Sequence, residues 1–182
     1  MTRAFTLIET VVVIGLSVAL VVAIAQLSLL FGNTIALQNA SIGNLLGANT
    51  ITDAVRTAGL QADHIVANHA FSGFQRSTGT TTVIFELPSV DVSGSIISNV
   101  YDYVGIYASG TEAYRVIDTG SGSVRHSGTK RLSDVLDTLS FSYDASDVSL
   151  ATSVLLEATT SAVVKGVVSE MHLYERVYLR NL

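Results

Sequence analysis

Glu9 is the residue whose type and position most plainly require a chemical explanation. No charged side chain occurs between it and Asp53, and Thr10 to Phe31 is an almost purely apolar run. As a helix rising ~1.5 Å per residue, that run would extend about 33 Å, enough to cross a hydrocarbon core of ~30 Å. A charge at the edge of such a segment costs roughly 2–3 kcal/mol or more as it is drawn toward the bilayer centre, so Glu9 needs a reason to be there.

The other residues capable of chemistry form no paired constellation. His64, His69, His126 and His172 lack metal-ligand spacing, and no H-E-x-x-H occurs. Asp134, Asp137, Asp144 and Asp147 cluster in sequence and have the hard oxygens calcium prefers. They match no EF-hand loop and read as surface and turn carboxylates. Gly120-x-Gly122 lacks the lysine and strand–helix context of a phosphate loop, and no serine stands in a nucleophile elbow. Arg125-His126 with Lys130-Arg131 is the basic patch, read as a solvated loop. The chain has no cysteine, which excludes disulfides, thiol catalysis and thiolate metal sites. Neither catalysis nor a cofactor or metal is expected.

From residue 32 onward, nine Lys and Arg face fourteen Asp and Glu in scattered order, which excludes a bulk nucleic-acid binder. That part is rich in Ser, Thr, Gly, Val and Tyr, a β-leaning composition of a size that supports one hydrophobic core. Its first section reads as helix. Phe31, Ile35, Ile42 and Leu45 fall on one stripe, and Ile51, Val55, Ala58, Ala62 and Ile65 on a cleaner one, with Asp53 and Arg56 on the solvated face. Gly43, Gly47 and Thr50 predict a bend or phase slip between the stripes. The economical reading is one helix from about Phe5 to about Ile65.

Residues 71–80 read as loop, and strands follow. Thr82–Leu87 is stopped by Pro88, while Val100–Tyr107 and Glu112–Ile117 form a hairpin about Ser109-Gly110. A polar stretch from Thr119 to Lys130 separates these from strands at Leu139–Tyr143, Ser153–Glu157 and Met171–Arg180. The last puts Met171, Leu173, Val177 and Leu179 on one face, with Glu175 interrupting that face near the strand's rim. Tyr101, Tyr103, Tyr107 and Tyr114 are expected on sheet faces or in the core. The predicted class is α+β, a long N-terminal helix packed on an antiparallel sheet.

Four readings compete for the N-terminal run. A buried core helix is disfavoured by length and uniform apolarity. A secretory signal peptide finds a small-x-small site at Ala23-Ile24-Ala25 and would release a soluble β-domain, a binding module, after Ala25, but the apolar run continues to Phe31. A plain signal anchor, with Arg3 on the cytoplasmic side, leaves Glu9 unexplained.

The fourth reading accounts for Glu9. Arg3-Ala4-Phe5-Thr6-Leu7-Ile8-Glu9 resembles the leader junction of type IV pilins and type II secretion pseudopilins. The resemblance implies a leader of residues 1–4, cleavage between Ala4 and Phe5 by a membrane prepilin peptidase, and N-methylation of Phe5. Ala4 stands where the family usually has Gly. Glu9 is then the fifth mature residue, implied to pair with the terminal amine of a neighbouring subunit in a filament. Residues 5–31 would be the transmembrane and filament-core helix, 32–66 its amphipathic continuation, and 71–182 the sheet domain. The implied partners are other pilin subunits, an assembly ATPase with its inner-membrane platform protein, and membrane lipid before assembly. The order of pieces beyond residue 80 resembles minor pilins and pseudopilins of the J or W type. It implies a single-pass inner-membrane subunit with its C-terminal domain outside, later part of a pilus or pseudopilus.

Overall fold

The computed structural model describes residues 6–180. Helix α1 spans Leu7–Gly59 as one uninterrupted α-helix, about 80 Å long at ~1.5 Å per residue. Ten strands follow: β1 His64–Ile65, β2 Asn68–Phe71, β3 Phe74–Ser77, β4 Thr82–Val90, β5 Ile96–Ser109, β6 Glu112–Asp118, β7 Gly128–Ser133, β8 Leu136–Tyr143, β9 Ser153–Val164 and β10 Val167–Tyr178. They build a five-stranded sheet in the order β1-β4-β5-β6-β7, a three-stranded sheet β10-β9-β8, and the β2–β3 hairpin. The strand pairings are antiparallel. The α+β class expected from the sequence is the class the chain adopts.

The core lies where the upper half of α1 meets both larger sheets. Ile51, Val55, Val83, Phe85, Ile106, Val154 and Leu156 are fully buried there. At ~1.5–3 kcal/mol for each large apolar side chain, this contact dominates the stability of the domain. The sheets are tied by Phe141 N–H donating to Thr80 O at 2.7 Å, and by the Tyr143 hydroxyl, which reaches Gly79 O at 3.0 Å and Thr82 O at 3.1 Å. The β2–β3 hairpin covers the opposite face of the five-stranded sheet. Phe71 packs there with Ile84, Tyr107 and Val116, His69 stacks on Tyr103 at 3.7 Å, and Arg76 lies 4.0 Å from the Tyr107 ring centroid. Tyr114 stacks on Tyr107, while Tyr101 is exposed at the margin.

Several expectations are corrected. The helix ends at Gly59, and His64–Ile65 pairs as a strand with β4. The predicted 71–80 loop is largely the β2–β3 hairpin, closed through Gly73 at φ +92°. Pro88 does not end its strand: β4 continues to Val90, because beyond Glu86 its β1 side has no pairing strand to need the missing N–H. Residues 128–133 add the edge strand β7, whose Lys130 and Arg131 hid it from an apolar-alternation reading.

The stripe through Phe31, Ile35, Ile42 and Leu45 is exposed, and the face turned to the sheets carries Asn44, Gly47 and Ala48 instead. Small residues win there because the sheets approach closely. A Cβ on Gly47 would lie 2.6 Å from Ser133 Oγ, and one on Gly59 would lie 2.5 Å from Val177 Cγ1. The helix continues unbroken through Gly43, Gly47 and Thr50, where Gly47 admits the sheets and Gly43 faces open space.

Two alanine substitutions are accordingly expected to act in opposite directions. Gly59→Ala forces a methyl against a stiff, buried valine, and overpacking of about 1–3 kcal/mol outweighs the gain in helix propensity. Gly43→Ala meets nothing within 4 Å and should stabilise by up to about 1 kcal/mol. Thermal unfolding of the full chain in detergent checks both signs.

Candidate functional site

The lower half of α1 is an apolar rod without a partner. Leu7, Ile8, Val11, Ile14, Val18, Val21, Leu27 and Phe31 all stand exposed. Monomeric domains rarely expose contiguous apolar surface on this scale, so the surface belongs against lipid or protein. Among the described residues, α1 is the helix long and apolar enough to cross a membrane.

Glu9 sits at the foot of this rod in a capping box. Thr6 is the N-cap, and its Oγ1 accepts the Glu9 N–H at 3.3 Å. The Glu9 carboxylate reaches back to accept from the Thr6 N–H at 2.9 Å and the Thr6 hydroxyl at 3.0 Å. A carboxylate in the first turn also meets the positive end of the helix dipole. Thr6 and Glu9 are three apart, so one turn of helix positions the pair. The expected cleavage and methylation residues, Ala4 and Phe5, lie outside the described residues.

Above the rod, polar contacts fix the register of α1 against the β9–β10 hairpin. Lys165 Nζ bonds Asn33 Oδ1 at the lowest rung. Next, the buried Asn44 amide donates to Ser169 O at 2.7 Å, and Thr160 Oγ1 donates to Asn44 O at 2.9 Å. At the top, Arg56 grips Glu175 with two bonds of 2.6 and 2.7 Å. Glu175 thus interrupts the apolar face because it faces the helix, and Arg56 is its partner rather than a merely solvated charge.

A second polar centre holds the far end of the five-stranded sheet. Asp102 is fully buried. Its Oδ1 accepts from Ser89 Oγ at 2.6 Å and Gly120 N–H at 2.8 Å; its Oδ2 accepts from Ser123 Oγ at 2.7 Å and Arg125 Nη1 at 2.5 Å. Arg125 also donates to Pro88 O at 2.8 Å and Gln61 Oε1 at 3.0 Å. Burial pushes the Asp102 carboxyl up, but the bonds from Ser89, Arg125, Ser123 and Gly120 together outweigh it and hold the group below the usual carboxylate range. Sequence reading missed this centre. Its signal was an aspartate among the alternating residues of a strand, and its partners lie in separate segments.

The remaining candidates have structural tasks. Arg131 pairs with Glu112 at 2.8 Å and Asp134 at 3.5 Å, so with Arg125 committed to Asp102 the basic patch is largely internally paired. Asp144 receives the Thr152 hydroxyl and the N–H groups of Thr152 and Ser153. The hydroxyl bond leads, and with the N–H groups it outweighs burial and holds the carboxyl down to about 2. Asp147 caps the short turn through Ser149. His69 bonds Asp118 at 2.9 Å, and His172 bonds the Thr159 hydroxyl at 2.9 Å. Among the described residues, no group of three or more His, Asp or Glu side chains is placed to hold a metal ion.

Fold and surface together define a class: an antiparallel β-domain carried on a long N-terminal helix whose exposed lower half is apolar and long enough to span a membrane. Compared with known proteins, the chain matches no family model and no curated protein.

Proposed function

We propose that the chain is a type IV pilin-like structural subunit, a minor pilin or pseudopilin, which inserts in the inner membrane through α1 and is then drawn into a pilus or type II secretion pseudopilus. The observation that carries this reading is Glu9, the one charge at the head of a bare apolar rod and the fifth residue counted from Phe5. In the membrane, Thr6 satisfies the carboxylate locally. In a filament, the methylated amine of Phe5 from a neighbouring subunit takes that place, because two opposite unit charges in a low dielectric attract more strongly than a carboxylate and the uncharged N–H and O–H donors of Thr6. Chemistry is done on this protein rather than by it: a prepilin peptidase cuts between Ala4 and Phe5, and an assembly ATPase with its platform protein drives polymerisation with other pilins. The exposed Ile35, Ile42, Leu45 and Leu46 extend the apolar surface of α1 upward, as helix–helix packing in a filament core requires.

N-terminal mass spectrometry of the membrane fraction tests the reading. N-methyl-Phe5 is the expected terminus. A chain beginning at Gln26 would make it an exported β-domain released by signal peptidase, and one beginning at Met1 or Thr2 a plain anchored domain.

A further inference from the structure

The polar rungs between α1 and β10 are a ruler. From Asn33 to Arg56 the helix rises about 35 Å at ~1.5 Å per residue. From Lys165 to Glu175, β10 advances about 33 Å at ~3.3 Å per residue. The near-equality means that β10 runs alongside the helix, with its turn pointing back toward the apolar rod. The turn stops at Asn33, two residues beyond Phe31, where the rod ends.

The tip gathers three exposed valines about one lysine. Lys165 at φ +51° and Gly166 at φ +80° make a two-residue turn between paired Val164 and Val167, with the positive φ at both positions that a tight hairpin favours. Around it Val163, Val167 and Val168 are 68, 52 and 60% exposed. Lys165 spends one of three ammonium donors on Asn33 and keeps two for another acceptor. The patch is bounded: Glu170 lies on the same face as Val168, two residues farther from the tip, and meets His172 at 3.5 Å.

We propose that the β9–β10 tip, Val163 to Val168, is a second lipid contact, seated in the headgroup layer of the membrane that α1 crosses, with Lys165 on a lipid phosphate. The proposal rests on the membrane reading of α1. Asn33 lies about 3 Å above the end of the apolar run, inside a headgroup layer roughly 5–7 Å deep on each side. The valines enter the boundary while the ammonium reaches phosphate oxygen. Because the tip is locked to α1 by three rungs, its seating fixes the rotation and height of the whole sheet domain over the bilayer before assembly.

The cysteine-free chain permits a direct test by site-directed spin labelling of the full chain in phosphatidylcholine vesicles, with and without phosphatidylglycerol. Single substitutions Val18→Cys, Val92→Cys and Val167→Cys place labels in the rod, on an exposed loop and at the tip. The Val18 label should report hydrocarbon, the Val92 label water, and the Val167 label headgroup depth, with oxygen access above that at Val92 and access to a polar nickel reagent below it. Phosphatidylglycerol should shift the ratio of lipid-seated to water-exposed Val167 label by about fivefold, and Lys165→Glu should abolish that shift. A Val167 label as water-exposed as Val92, with Val18 in lipid, overturns the tip contact alone. A water-exposed Val18 label overturns the membrane reading and the tip contact with it. Dipolar broadening between Val167 labels without lipid contact would assign the tip to a second copy and overturn the proposal.

Discussion

Asp102→Ala is expected to lower the thermal midpoint of the sheet domain by roughly 6–20 °C, the largest stability loss of any single substitution considered. The carboxylate accepts four hydrogen bonds, two on each oxygen, from Ser89, Gly120, Ser123 and Arg125. Removing it leaves a guanidinium, two hydroxyls and the Gly120 N–H facing a void. Breaking a buried ion pair in this way costs about 3–5 kcal/mol, and each kcal/mol moves the midpoint of a domain this size by about 2–4 °C. Arg125 retains Pro88 O and Gln61 Oε1 and is part-exposed, which places the cost toward the lower end. Asp102→Asn is not a conservative rescue. Whichever way the amide turns, its NH2 faces one serine hydroxyl that can rotate to accept and one donor that cannot, the Gly120 N–H or the Arg125 guanidinium. The charge opposite Arg125 is also gone, so a clear loss smaller than that of alanine is expected.

The same centre sets a pH dependence. The folded Asp102 carboxyl is held below its unfolded value, so its stabilisation is present above the unfolded pKa of ~3.9 and is lost as pH falls through the folded one. Asp144 acts with the same sign, its pKa held down to about 2. Acid titration of the full chain should therefore show the wild type losing stability below about pH 4. Asp102→Ala should lose less over that window than wild type, having already forfeited the contribution. A mutant with an unchanged midpoint and unchanged acid slope would remove Asp102 from the energetics of the fold.

What the sequence disclosed and what it hid follow from the range of the interactions. The helix and the strands at Thr82–Leu87, Val100–Tyr107, Glu112–Ile117 and Leu139–Tyr143 are written in local periodicity and were legible. Glu9 was legible for a similar reason, because a single charge at the head of a 43-residue uncharged interval cannot be averaged away. The orientation of α1 between Phe31 and Leu46 was not. Periodicity favours turning large apolar residues inward, but here close sheet approach selected Gly47, Ala48 and Asn44 for the inner face and left Ile35 and Ile42 outside. The rungs were invisible because Asn44 and Ser169, or Arg56 and Glu175, are more than a hundred residues apart. Glu175 looked like a flaw in an apolar face until its partner was in view. Asp102, between two tyrosines, stayed unnoticed for the same reason.

Glu9→Ala and Glu9→Gln together are expected to separate the two tasks of the one carboxylate. Alanine removes both the charge and the return arm of the capping box. The loss is confined to the first helical turn, which lies far from the sheet domain and should leave its unfolding unchanged. Membrane insertion should be unimpaired, because deleting a carboxylate lowers the cost of bringing the helix head toward lipid. Incorporation into filaments should nevertheless fall by about tenfold or more, since a charge pair at ~4 Å near a protein surface is worth up to ~4 kcal/mol before desolvation is subtracted. Glutamine keeps an acceptor for the Thr6 N–H and hydroxyl, and so keeps the cap, but it cannot neutralise an amine. If Glu9 acts through its charge, glutamine fails as alanine does in the sheared-filament fraction while both variants remain abundant in the membrane fraction. If glutamine restores incorporation, the residue acts as a helix cap, and the assembly role assigned to its charge is wrong. The outcome turns on one atom, an oxygen against an NH2, at the foot of the apolar rod.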